Sequence, residues 1–108
     1  MRSRVFQALK ETGIPVAHMA FEKGKAPALP WMVYIQGASS GMYADDSNYH
    51  KVTEFVVELY QMPTSREVEE KLEKAISQFG AWSREEEIWI EDEGCIETVY
   101  RFTVIDKD

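Results

Sequence analysis

The chain has 108 residues, with 12 Lys and Arg against 19 Asp and Glu, a formal net charge of −7, and one cysteine, Cys95. That length suits a single domain burying roughly two thirds of the surface its unfolded chain exposes, while one cysteine excludes an internal disulfide framework and leaves too little sulfur for a zinc cluster. Residues 1–51 carry six basic against four acidic side chains and residues 52–108 six against fifteen, so the acidic half repels phosphate backbones and nucleic acid is not an expected partner.

No segment approaches the roughly twenty apolar residues of a membrane span, and the N-terminus lacks the apolar run of a signal peptide. The expectation is a soluble, unprocessed protein of a reducing cytoplasm, without a membrane partner. Val5, Phe6 and Leu9 share one helical face, and Gly13 suits a left-handed helix close. The apolar run Ile14 to Phe21 follows a Gly/Pro break and predicts a first strand with Pro15 at its entrance. Lys23, Gly24, Lys25, Pro27 and Pro30 make the next stretch a loop.

The segments from Trp31 to Ile35 and from Val52 to Tyr60 are dense in β-branched and aromatic residues and predict two strands. Between them, Gly37 to Gly41 and Asp45 to Asn48 favour turns, which predicts a long loop over about 37–50, too long for a hairpin turn and of the kind that usually carries function.

Thr64 and Glu67 read as a capping box that starts a second helix, with Val68, Leu72, Ile76 and Phe79 as its apolar stripe. Glu67, Glu69, Glu70, Lys71, Glu73 and Lys74 are expected outside, and Gly80 is expected to close the helix. Two final strands, 81–91 and 95–105, flank Asp92-Glu93-Gly94, whose glycine permits a tight turn. Ile96, Thr98, Tyr100, Phe102 and Val104 share the predicted core face of the last strand, and Phe55, Val57 and Leu59 that of the middle one. The order α-β-β-β-α-β-β predicts a single α+β domain, a mostly antiparallel sheet with two helices packed on it.

No coherent catalytic set emerges, and the chain is not expected to be an enzyme. Cys95, His18 and His50 lie on separate segments, where a buried thiol and ordinary strand or loop histidines are the usual outcome. Asp45, Asp46 and Asn48 offer oxygen ligands without EF-hand spacing, so turn chemistry is preferred over a metal. The glycines form neither a P-loop nor a dinucleotide pattern, and no cofactor is expected. Trp31, Trp82 and Trp89 sit among acidic residues rather than in a basic groove, which favours core and subunit-interface packing over base stacking. Met42, Tyr43 and Tyr49 put aromatics and Met in the polar loop, a composition enriched at protein interfaces.

Leu29-Pro30-Trp31-Met32-Val33-Tyr34, the Ser/Gly loop, Tyr43-Ala44-Asp45-Asp46 with Tyr49, Val56-Glu58-Leu59-Tyr60, the Glu-rich helix to Ile76, and Ile88 to Asp92 followed by Val99-Tyr100-Arg101-Phe102 together resemble small prophage proteins of Gram-positive bacteria. They are similar to the tail-completion, or tail-terminator, proteins of long-tailed bacteriophages, across roughly residues 1–105. The resemblance implies an α+β subunit without enzymatic activity that forms a six-fold ring on the tail tube and presents a surface to the head-tail connector protein. Its implied partners are copies of itself, the tail tube protein and the connector protein, in the host cytoplasm during assembly and then at the virion's head-tail junction. The loop from Gly37 to His50 is the expected inter-subunit or tube contact, because its residues cannot find partners within a small core, and the contact residues expected there are Ser39, Ser40, Met42, Tyr43, Asp45, Asp46 and Tyr49. The alternatives are a head-completion or connector protein, and a small α+β ligand-binding or regulatory domain.

Overall fold

The structure is a computed structural model that describes the backbone of residues 2–43, 49–62 and 65–107, and the side chains of 4–37, 51–62 and 65–105. The elements in chain order are α1 (Arg2–Lys10), β1 (Val16–His18), β2 (Trp31–Tyr43), β3 (Tyr49–Gln61), α2 (Arg66–Ser77), β4 (Trp82–Ile90), a short 3-10 turn (Glu91–Glu93) and β5 (Cys95–Lys107). They build one five-stranded sheet in the order β1-β2-β3-β5-β4, with β1 parallel to β2 and every other pair antiparallel. The α+β architecture matches the pattern read from the sequence.

Both helices cover one face of this sheet. Val5 and Leu9 from α1 and Leu72 and Ile76 from α2 meet Met32, Tyr34, Phe55, Val57, Leu59, Tyr100, Phe102 and Val104 in one core. The strand residues obey the alternation of a pleated sheet, since Leu59 pairs with Met32, Val57 with Tyr34 and Tyr100, and Phe55 with Phe102. Phe79, Phe102 and Phe55 stack in succession, with neighbouring centroids 5.8 and 5.7 Å apart. Gly13 after α1 (φ +84°) and Gly94 after the 3-10 turn (φ +60°) take the left-handed conformations expected of them.

Three local expectations change. The first strand is only Val16–His18, because Met19 turns the chain at φ +69° while its N–H donates to the Tyr34 carbonyl. The N-cap of α2 is Ser65, whose hydroxyl accepts from the Val68 N–H at 3.3 Å; Thr64 of the expected capping box lies outside the described residues. The helix ends at Ser77 with Gln78 as its cap, three residues before Gly80.

The expectation that Glu69 and Glu73 point to water also fails. Glu69 is buried, accepting from Gln61 Nε2 at 3.1 Å and Arg66 Nη1 at 3.2 Å, and the Glu73 carboxylate accepts from the Tyr100 hydroxyl at 2.8 Å. Each lies beside the apolar stripe, one turn from Leu72 or Ile76, where a carboxylate reaches donors on the sheet that the helical pattern alone does not reveal. Glu67 does remain exposed, 3.7 Å from Lys71.

Candidate functional site

The predicted loop over 37–50 is instead the end of a long β-arm. The β2–β3 ladder runs from Trp31 opposite Tyr60 to Tyr43 opposite Tyr49, so the connection shrinks to 44–48, which lies outside the described residues. Serine and glycine are poor strand formers alone, but a pleated surface is decided by its neighbours, and Val52 and Thr53 on β3 supply a ladder opposite Ser40 and Ser39. The register slips between Gln36 and Ser39, and Gly37 sits in that bulge. A Cβ at Gly37 would lie 3.3 Å from both the backbone oxygen and a carboxylate oxygen of Glu54, a close approach that favours glycine.

The end of β5 joins the arm, pairing Val104 with Thr53 and Lys107 with His50. The outer strands do not reach it: β1 pairs only with Met32–Tyr34, and β4 ends opposite Phe102. The molecule is accordingly elongated, 52 × 27 × 23 Å, with a radius of gyration of 15.1 Å against about 13 Å for a compact domain of this length. At the base of the arm Val104 is buried, whereas its neighbour Ile105 is 55% exposed.

The sequence-predicted contact residues fall into this frame. Ser39, Ser40, Met42 and Tyr43 are strand positions of β2, and Tyr49 is the first residue of β3, opposite Tyr43. Asp45 and Asp46 lie outside the described residues.

The structure adds a cluster that sequence reasoning missed, on the face away from the helices. Trp31 stacks on its cross-strand partner Tyr60, centroids 4.4 Å apart, and Phe21 from the loop after β1 meets Trp31 edge-on at 5.3 Å. The Tyr60 hydroxyl donates to Glu97 Oε2 at 2.6 Å and lies 3.2 Å from Glu58 Oε1. Burial first, and the hydrogen bond to Glu97 second, push the Tyr60 hydroxyl well above the usual phenol range. Burial, and then the charge of Glu97, also raise Glu58, against the opposing effect of the Tyr60 bond. Trp31, Tyr60, Glu58 and Glu97 lie in three strands, whose register brings them together, and Phe21 joins them from the loop after β1.

The remaining candidates are dispersed. Cys95 is buried, and its thiol is pushed up by burial and then by the charges of Glu93 and Glu97. His18 stands on β1 beside Tyr34, with β2 and β3 between its strand and that of Cys95. Among the described residues no group of three His, Cys, Asp or Glu is placed to hold a metal ion, and no helix is long and apolar enough to cross a membrane. Of the expected core and subunit-interface packing, the core part does not hold for Trp82 and Trp89, which are 36% and 52% exposed on the edge strand β4, Trp82 with its ring 5.8 Å from that of the buried Tyr100. No protein-family model matches the chain, and no curated protein is similar to it.

Proposed function

We propose that the chain is a non-enzymatic phage structural protein that ends the tail tube and helps join tail to head. In this reading copies of the chain assemble into a six-fold ring between the tail tube protein and the head-tail connector protein. The observation that carries it is the arm. Two strands of 13 residues each, with the end of β5 beside them, reach past everything that covers the rest of the sheet.

Among the described strands none pairs with the outer edge of β2 beyond Tyr34, and a row of free backbone donors and acceptors is a template for another chain. Head-to-tail contacts of this kind, repeated about an axis, close into rings or grow into filaments. The resemblance over residues 1–105 supplies the place of that ring in a virion. Electron microscopy of a lysate from the encoding phage with this gene deleted tests the reading: overlong or headless tails support it, and complete particles of normal length overturn it.

A further inference from the structure

Beneath the loop of residues 19–30, on the face away from the helices, lies a cavity of about 270 Å³. Phe21, Trp31 and Tyr60 give it aromatic walls, and its charged groups are Glu22, Glu58, Glu93 and Lys23. The volume falls below the roughly 300–1,000 Å³ of sites for drug-sized ligands and suits a single side chain.

The proton count in this cavity is one short. Tyr60 has one hydroxyl hydrogen but two carboxylates in reach, Glu97 Oε2 at 2.6 Å and Glu58 Oε1 at 3.2 Å. The shorter contact takes the larger share of that hydrogen, which leaves the half-buried Glu58 carboxylate with only the weaker part of one shared donor. Among the described residues no Lys, Arg or His lies within ion-pair distance of Glu58, Glu93 or Glu97. An arginine guanidinium packs against aromatic side chains and pairs with carboxylates, so the aromatic and acidic parts of the lining favour the same kind of occupant.

We propose that this cavity receives one arginine side chain of a partner protein, its guanidinium against the Trp31–Tyr60 wall and hydrogen-bonded to Glu58 and Glu93. A guanidinium fits better than an ammonium because it is planar, stacks on aromatic rings and donates in a fork that matches carboxylates. Lys23 on the rim is a weaker internal competitor, since its hydrated point charge neither stacks nor forks. The inference goes beyond the ring assembly proposed above and does not depend on it, because every residue of the cavity belongs to one copy.

The test is a titration of the full chain, followed by nuclear magnetic resonance at the Trp31 indole N–H and the Val33 and Glu58 amides, with Nα-acetyl-arginine methyl ester as probe. The neutral citrulline analogue and the lysine analogue serve as comparisons. Saturable shifts confined to the cavity are expected with arginine, weaker ones with lysine and none with citrulline. Glu58→Gln and Glu93→Gln are each expected to weaken arginine binding by about tenfold, and Lys23→Ala to tighten it. Equal responses to arginine and citrulline, tighter binding of lysine, or unchanged arginine binding in a folded Glu93→Gln variant would overturn the proposal. Because Glu93 is exposed in a turn, the Glu93→Gln variant reads the contribution of a cavity carboxylate without altering the packed strands.

Discussion

Gln61 and Glu69 tie the end of β3 to the first turn of α2: the Gln61 side-chain amide donates to the buried Glu69 carboxylate at 3.1 Å, while its carbonyl oxygen accepts from the Ser65 N–H at 3.1 Å. One fully buried amide thus satisfies both a carboxylate and a helix-start N–H. Gln61→Ala removes both partners at once and leaves Glu69 dependent on Arg66 and on Arg84, 3.8 Å away. The expected loss is about 2–4 kcal/mol, read as a lower urea midpoint with unchanged slope. A midpoint within experimental error of the parent would contradict the role of this bridge.

Thr98 makes the opposite prediction. Its hydroxyl is buried and, among the described residues, has no hydrogen-bond partner. Thr98→Val keeps the shape and removes the desolvated hydroxyl, so stability should rise by about 1 kcal/mol. A lower melting temperature for Thr98→Val would show that the hydroxyl is satisfied in solution.

Leu72 and Phe102 are core residues, 0% and 3% exposed, and truncating either to alanine should cost about 2–5 kcal/mol. Chemical denaturation measures this directly, and a cost below about 1 kcal/mol at both positions would be incompatible with the packing described.

The Glu58 carboxyl gives a pH signature. Burial and the Glu97 charge raise its folded value above the ordinary one, so the folded chain holds that proton more tightly than the unfolded chain. Glu58 therefore opposes folding at neutral pH, and this opposition fades as the pH falls through its folded value and past its unfolded one. Glu58→Gln should accordingly be more stable than the parent at about pH 7, with the difference closing towards about pH 4. Thermal melts of both proteins across that range check it, and a difference that widens on acidification would reverse the sign.

The sequence carried the element order, both core faces of the central strands and the apolar stripe of α2, because each of these rests on local periodicity. Val57 and Tyr100 could be assigned inward without knowing that they are partners. The arm was hidden because Ser39, Ser40 and Gly41 have turn-forming composition, and only the opposing residues of β3 hold them in a ladder. The Trp31–Tyr60–Glu58–Glu97 cluster was hidden for a related reason: register between strands distant in sequence decides which aromatic meets which carboxylate. Glu69 and Glu73 looked like solvated helix residues because periodicity reports a face but not the donors waiting opposite it.

The most direct measurement of the central claim is a complementation series in a phage lacking this gene, in which tail length and head attachment are scored by electron microscopy. The intact chain and a Met42→Ala, Tyr43→Ala, Tyr49→Ala variant, first checked for an unchanged fold, are supplied in turn. Interface energy concentrates in a few anchoring aromatics, so the intact chain should restore attached tails of normal length while the variant leaves them overlong or headless. Full restoration by the variant would remove the arm as the contact, and normal particles without any complementation would contradict the tail-ending role itself.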